Sequence, residues 1–447
     1  MLKTTPAVFA VGNEYQIMVE TKKEALMRVK IDDEIYYDES NGILNSLSPI
    51  HRVTVPISAL DKAKEYTVCI LPIIERKPYF TETEKQLEYT FKFKAVQKNN
   101  VRIYHLADTH NRIEEPVNAA KAFGDIDILI LNGDIIDHSG DPKKFSNIYE
   151  VCAKITNGGF PVVFSRGNHD MRGNFAEKFA DFTPSQNKNT YYTFRIGSVW
   201  GIILDCGEDK EDSHCEYGFT VACHTFRKRQ TKFIKSVIDN AKKEYEHQDV
   251  KTKFVISHIP FTLEFDPPFD IEKNIYNEWT SLLRDNIKPD LMICGHTHKC
   301  VIIKPNKEND CFDIGCPLVI GSEPTQEGFI GCGLILKENE IEVVFTDSQG
   351  NTISSEILKH FEWGYKMNIH QKKKILFLAV IVLLLLASII SSVFSKEIAL
   401  LIIIPILCIW FILYNKWWRC PHCKRSLGRL EYGITHCKYC GKKLSKY

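Results

Sequence analysis

Apolar and polar positions alternate with period two through the first hundred residues. Met27, Val29 and Ile31 interleave with polar neighbours, as do Val53, Val55 and Ile57, then Tyr66, Val68 and Ile70, then Tyr89, Phe91 and Phe93. That period puts one face of each strand on a core. Several such strands, with turns at Asp32-Asp33 and Ser40-Asn41-Gly42, predict an N-terminal β-sandwich over 1–97. The segment holds no catalytic motif and reads as a packing and substrate-rim domain.

The pattern changes at Val101. Short apolar runs now alternate with stretches of helical periodicity. Val101–Leu106, Ile126–Leu131, Val162–Phe164, Phe254–Ile256 and Leu291–Cys294 read as buried parallel strands. Residues 142–156, 225–246 and 272–286 read as helices, and Phe329–Leu336 with Ile341–Thr346 as a closing hairpin. Together they predict an α/β two-sheet sandwich over 101–347. Residues 348–374 form a linker with a basic end.

A third pattern follows. Ile375–Phe394 is 20 residues without a charge, and Ile398–Tyr414 adds 17 more, with only Ser395-Lys396-Glu397 between them. The first is long enough to cross a bilayer and the second is at the short end, so the pair predicts a transmembrane helical hairpin. Lys366, Lys372, Lys373 and Lys374 precede the first span; Lys416, Arg419, Lys424, Arg425 and Arg429 follow the second. Positive flanks stay inside, which places both the N-terminal region and the tail in the cytoplasm. Trp410, Trp417 and Trp418 suit the interface.

Net charge sharpens this division. Residues 101–347 carry 28 Lys+Arg against 38 Asp+Glu, whereas 366–447 carry 14 against 2. An acidic central segment argues against a grip on duplex nucleic acid, which needs a basic track. The chain has 15 cysteines, an odd number with scattered spacing. Scattered cysteines read as small apolar residues in a reducing compartment, in keeping with an N-terminus that shows no secretory signal pattern. Gly207 to Tyr217 is acidic and reads as a mobile solvated loop, with His214 as a weaker substrate-contact candidate.

The candidate chemistry lies at the ends of the central apolar runs. Asp108-Thr109-His110, Gly133-Asp134-Ile135-Ile136-Asp137, Arg166-Gly167-Asn168-His169-Asp170, His258 and Gly295-His296-Thr297-His298 follow the five runs in order. Ligands of parallel sheets bind beyond the carboxyl ends of strands, so the five clusters are expected on one rim. Asp108, His110 and His298 suit one divalent ion; Asn168, His258 and His296 suit a second; Asp134 suits a bridge between them. Two ions roughly 4 Å apart clamp the attacking and leaving oxygens of a phosphoryl displacement and lower the pKa of a shared water. Imidazoles, carboxylates and an amide oxygen favour Mn, Zn or Fe over Ca. Ordinary strand-capping turns seldom collect so many His and carboxylates.

The ordered set D-x-H, G-D-x-x-D, G-N-H-D, H and G-H-x-H resembles the calcineurin-like metallophosphoesterases, over Val101 to about Asp347. The resemblance implies a metal-dependent hydrolase of phosphate mono- or diesters, with the metal ligands named above and His169 contacting substrate. The β-rich segment ahead of it is similar in placement to that of purple acid phosphatases, but Asp137 stands where those enzymes have the tyrosinate. In phosphoprotein phosphatases the equivalent carboxylate pairs with the G-N-H histidine. By that resemblance Asp137 pairs with His169 as a general acid, and Arg166 is a fork for phosphate oxygens.

In the tail, Cys420-Pro-His-Cys423 and Cys437-Lys-Tyr-Cys440 lie 13 residues apart and resemble a zinc ribbon over 419–447. Four thiolates bind one Zn tetrahedrally and fold a segment with almost no core. Such a ribbon either caps the tail or binds a protein partner or nucleic acid, helped by its basic residues. The expected function is a membrane-tethered cytoplasmic metallophosphoesterase. The alternative is a catalytically silent membrane-anchored scaffold or sensor acting through the ribbon.

Overall fold

The central apolar runs become strands because each has two faces to bury. In a computed structural model, residues 1–359 are described except 41 and 306–309; beyond 359 only nine isolated positions are described, at 378, 379, 382, 404, 405, 410, 414, 419 and 425. Met1–Phe361 and Glu362–Tyr447 are distinct compact units, and every element below belongs to the first. The expected spans 375–394 and 398–414 fall almost wholly outside the described residues, as do Cys420, Cys423, Cys437 and Cys440. Among the described residues no helix is long and apolar enough to cross a membrane.

Two sheets form the sandwich. In the first, Val101–Leu106 runs parallel to Ile128–Asn132, which runs parallel to Val162–Ser165. The other edge of Val101–Leu106 pairs antiparallel with Phe329–Leu336, followed by Glu340–Asp347 and Thr352–Lys359. In the second, Val199–Leu204, Thr252–Ser257, Leu291–Cys294 and Leu318–Pro324 are mutually parallel in that order. Tyr192–Ile196 and Cys300–Ile303 close its edges antiparallel. Leu318–Pro324 pairs first with Leu291–Cys294 and then with Phe329–Leu336, so one strand joins the two sheets.

Alternation decides the layers. Ile103, Ile128, Ile130 and Val163 point inward and share a buried cluster with Phe254, Ile256 and Ile293 of the second sheet. Their neighbours Tyr104, Leu129, Leu131 and Phe164 face outward and are covered by the helices Glu114–Phe123 and Ser146–Thr156 through Ala119, Ala120, Ile148 and Cys152. Strands with both faces buried explain the unbroken apolar runs. Truncating one such side chain to Ala costs about 2–5 kcal/mol.

The N-terminal strands continue the first sheet. Ala7–Val11 runs parallel to Val162–Ser165 and antiparallel to the 18-residue strand Glu14–Ile31. That long strand then pairs with Ser48–Pro56 and Glu65–Glu75, and the latter with Leu87–Lys92. Val29, Val53 and Val68 belong to the same buried cluster as Ile103. At 97–101 the chain therefore passes between regions that share strand pairing and core. Ile57 departs from the period-two expectation: after Pro56 the chain enters the helix Ile57–Ala63, which buries Leu60. Thr352–Lys359, expected as linker, is an edge strand.

Candidate metal centre

Parallel pairing within each sheet points the carboxyl ends of the ligand-bearing strands the same way. The loops beyond them carry Asp108 and His110, Asp134 and Asp137, Asn168 and His169, then His258, then His296 and His298. Asp108, Asp134, Asn168 and His258 are buried, whereas His110 and His296 are half-buried and His298 is open. The donor atoms of Asp108, His110 and His298 lie within 4.8 Å of one another, as do those of Asp108, Asp134 and His258. His298 Nε2 is 3.1 Å from His110 Nε2 and 3.4 Å from Asp108 Oδ1. His258 Nε2 is 3.6 Å from Asp108 Oδ1 and 3.1 Å from Asp134 Oδ2. His296 Nδ1 is 3.1 Å from Asn168 Oδ1. Asp108 thus belongs to both groups, and Asp134 Oδ2 also lies 4.0 Å from His169 Nε2.

The donor set fits divalent cations. Asp108 Oδ1 and His258 Nε2 are both buried without a hydrogen-bond partner. Leaving such an atom unsatisfied costs about 1–3 kcal/mol, and more for a charged group. A cation between them removes that cost. Charge within the centre is tightly coupled. Burial pushes the His258 imidazole down, but the charges of Asp134 and Asp108 overcome this and raise it to about 10. Burial likewise opposes ionisation of Asp134, yet His258 holds its carboxyl well below the usual range. His296 is driven down to about 4 by burial and by the neighbouring His258 charge. To hold a cation His258 would have to give up that proton, since only the neutral imidazole ligates.

Backbone strain is concentrated in these loops. Asp108, His110, Asp134, His296 and His298 have φ of 53°, 45°, 53°, 70° and 52°. Side chains seldom adopt that left-handed region, and each instance costs of order 1–3 kcal/mol. Cross-loop hydrogen bonds hold it. Asp108 N–H donates to Gly133 O (3.1 Å), His110 N–H to Asp134 O (3.0 Å) and Gly295 N–H to His258 O (3.0 Å). His296 N–H donates to Asp108 Oδ2 at 2.8 Å, and His169 N–H to Asp134 Oδ1 at 2.9 Å. Gly167 is required here: a Cβ at that position would lie 2.0 Å from Asp134 Oδ1.

Two positioning residues were given no role from sequence: Asn132, outside the motifs, and Asp170, the last residue of G-N-H-D. Asn132 ends its strand with Nδ2 donating to Ser257 O at 3.2 Å and Ile293 O at 3.3 Å, which ties the two sheets together beneath the centre. Its own carbonyl accepts from His258 Nδ1–H at 2.7 Å, which leaves Nε2 for a cation. A polar residue closing the run Ile-Leu-Ile-Leu-Asn132 was the available signal. Asp170 Oδ2 accepts from Gly167 N–H at 2.8 Å and Asp134 N–H at 3.2 Å. Burial, helped by the Asp134 charge, lifts its carboxyl to about 7. Asp170→Ala removes the acceptor for both N–H groups and is expected to weaken metal binding about 10–100-fold. Asp170→Asn keeps an acceptor oxygen and should lose less. Calorimetric titration with Mn²⁺ measures both; equal affinities for wild type and Asp170→Ala would refute this role.

The expected catalytic pairing differs in detail. His169 Nδ1–H donates to the backbone carbonyl of Asp137 at 2.8 Å, not to its carboxylate. The Asp137 side chain is 51% exposed and its carboxylate lies 3.7 Å from His110 Nδ1. The loop presents its carbonyl to the ring, while the carboxylate lies within 4.8 Å of nitrogens of both His110 and His169. Arg166 Nε donates to the buried Asp205 at 2.8 Å, an acceptor it shares with Thr190. Arg172 is the arginine beside the ring, with Nη1 3.3 Å from His169 Nε2.

The acidic loop is also anchored differently from its expectation. Glu208, Asp209 and Lys210 are buried. Arg172 is bidentate on Glu208 and reaches Asp209, while Lys210 and the Tyr217 hydroxyl also bond Asp209. Neutralisation by Arg172 and Lys210 is what allows burial of these carboxylates. The ring of His214 contacts Glu216, accepting from its N–H, and is not brought into the ligand set.

Comparison with known proteins agrees with this geometry. Residues 101–300 match the family model of the calcineurin-like phosphoesterases. No curated protein matches the chain. Among solved structures, a purple acid phosphatase from yellow lupin seeds is similar at a TM-score of 0.52 and 14% identity, covering 80% of this chain and 74% of its own. That likeness extends to the fold. A predicted phosphoesterase from Streptococcus pneumoniae matches at 11% identity over 58% of this chain and 98% of its own, with a TM-score of 0.27. With the matched segment spanning all the candidate ligands, the chain is a phosphoesterase that carries a calcineurin-like metallophosphoesterase domain.

Proposed function

We propose that the chain hydrolyses phosphate mono- or diesters at a dinuclear metal centre and is tethered to the cytoplasmic face of a membrane. The observation that carries the enzymatic part is the meeting of Asp108, Asp134 and His258 donors in one buried cluster, where Asp108 Oδ1 and His258 Nε2 make no hydrogen bond. Asp108, His110 and His298 would hold one ion and Asn168, His258 and His296 the other, with Asp134 available to both. Two bound Mn, Zn or Fe ions supply an acidified water and neutralise charge on the phosphoryl oxygens. His169 keeps Nδ1–H on the Asp137 carbonyl, so Nε2, which accepts from Arg172 in this structure, is the nitrogen that would take up a proton from solvent and pass it to the departing oxygen. Arg172 beside that nitrogen, and Arg166 through its terminal nitrogens, add positive charge for the transferred group.

Release of nitrophenol from p-nitrophenyl phosphate and bis(p-nitrophenyl) phosphate, with Mn, Zn, Fe, Co or no metal, tests the activity and separates monoester from diester. Metal-dependent turnover of at least one is expected. No turnover with any metal would favour the silent scaffold.

The tether rests on the uncharged runs 375–394 and 398–414 and on their basic flanks. Reporter fusions at the N-terminus and after Tyr447 should both behave as cytoplasmic, and an extracytoplasmic signal from either would overturn the topology. The tail is proposed to hold one Zn through Cys420, Cys423, Cys437 and Cys440. Metal analysis should show that zinc lost in Cys423→Ser; an unchanged zinc content would refute the ribbon.

A further inference from the structure

His296 belongs to two places at once. One side of it faces Asn168 in the metal centre, and it also lines a cavity of about 160 Å³. Ile259, Phe261, Leu263, Phe265, Phe269 and Tyr276 form the cavity wall. Phe261 packs at 5.6 Å on Tyr276 and edge-on at 5.4 Å against Trp279, so the floor is a fixed aromatic platform. Phe265 stands edge-on to His296 with centroids 6.4 Å apart, so the apolar wall runs up to the metal ligand itself. Phe269 remains 39% exposed at the rim. Apolar surface left open beside a reaction centre gains about 25 cal/mol per Å² when a ligand covers it.

Size and charge narrow the occupant. A dry cavity of about 150 Å³ lined by Leu, Ile and Phe takes up benzene. The cavity therefore has room for one aromatic ring. Its charged lining consists of Asp209, Glu264, Asp270 and Lys273. Lys273 Nζ already lies 3.4 Å from Asp270 and 4.0 Å from Glu264. Asp209, beside the centre, is held as a carboxylate by Tyr217 and Lys210. Lys210 and Arg172 already offset Asp209, so Glu264 and Asp270 against the single Lys273 leave a net negative lining that disfavours an anionic guest.

We propose that this cavity receives the alcohol portion of the phosphoester, and that this portion is an uncharged aromatic ring or an apolar group of similar bulk. The proposal rests on the phosphoesterase reading above. With the phosphoryl group at the metal centre, the ring lies against Phe265 and over the Phe261–Tyr276 platform. Selectivity then comes from burial of the ring and from repulsion of acidic substituents.

The test uses the full-length protein with saturating Mn²⁺ and three phosphate monoesters of primary alcohols: benzyl phosphate, glycerol 1-phosphate and 4-carboxybenzyl phosphate. Benzyl phosphate should exceed glycerol 1-phosphate in kcat/KM by about tenfold or more, and the carboxybenzyl ester should fall well below benzyl. Leu263→Trp, which fills the cavity, should bring the benzyl-to-glycerol ratio towards one, chiefly through KM. Phe269→Ala, at the exposed rim where folding is not at stake, should lower the same ratio. Equal kcat/KM for the benzyl and glycerol esters in the wild type, or a ratio that neither variant moves, would overturn the cavity assignment. Equal rates for the benzyl and carboxybenzyl esters would overturn its charge selectivity. Failure to turn over any ester, p-nitrophenyl phosphate included, with any metal would instead overturn the phosphoesterase reading and this proposal with it.

Discussion

Asp134→Asn is expected to lower kcat/KM by at least about 10²-fold while the domain stays folded, because loss of a direct ligand exceeds the roughly 10–100-fold cost of losing an outer partner. The side chain is buried, with Oδ1 accepting from His169 N–H at 2.9 Å and Oδ2 3.1 Å from His258 Nε2. Asparagine reproduces the shape and still offers an oxygen to His169. It removes the charge that attracts cations and that keeps His258 protonated in their absence. Without that charge, burial should lower the His258 pKa from about 10, which histidine-resolved NMR can follow. Circular dichroism checks the fold, and calorimetry should show weakened Mn²⁺ binding. Wild-type turnover in this variant would contradict the role given to Asp134.

The second large effect separates His169 from Asp137. His169→Asn should lower kcat roughly 10²-fold for esters of poorly acidic alcohols, and less for nitrophenyl esters, whose leaving group needs no proton. Asp137→Asn should cost far less. The ring is oriented by the Asp137 carbonyl, which the substitution retains. Had the carboxylate been the partner, the two variants would lose similar activity and the double variant little more. Steady-state kinetics of both variants on benzyl and p-nitrophenyl phosphate decides the matter. Equal losses would show that the carboxylate does the orienting.

The convergence of the candidate ligands was legible because each follows a strand buried on both faces. Such strands are visible as apolar runs, and their parallel arrangement sends the following residues to one rim. Val101–Leu106 and Leu291–Cys294 occupy the ranges their apolar runs mark out. Thr352–Lys359 lacked that signal because it is an edge strand, with most of its side chains exposed and no alternation to detect. Ala7–Val11 is buried on both faces, but five residues of apolar character do not disclose that Phe9 pairs with Val162, 153 positions away. Pairing of that kind is set by tertiary packing.

Second-layer groups were less legible for a different reason. Asn132 and Asp170 act through backbone carbonyls and N–H groups, and a residue type does not reveal which carbonyl it will meet. The Asp137 carboxylate was the natural partner for His169 by charge, yet the backbone of the same residue takes that bond. Arg166 and Arg172 are both near the Gly-Asn-His segment in sequence. Only the fold shows that Asp205 engages the first and that the second stands beside His169. The charged run at Glu208–Lys210 looked solvated because its counter-charge, Arg172, lies 36 residues before Glu208.

The central claim is a centre that works with two divalent ions. The most direct measurement is a titration of chelator-stripped full-length protein with Mn²⁺, following bound metal and p-nitrophenyl phosphate turnover together. Background activity without metal, and full activity only when two ions have bound beyond any zinc retained by the tail, is the predicted result. Turnover by the stripped protein, or full activity reached with a single bound ion, would contradict it.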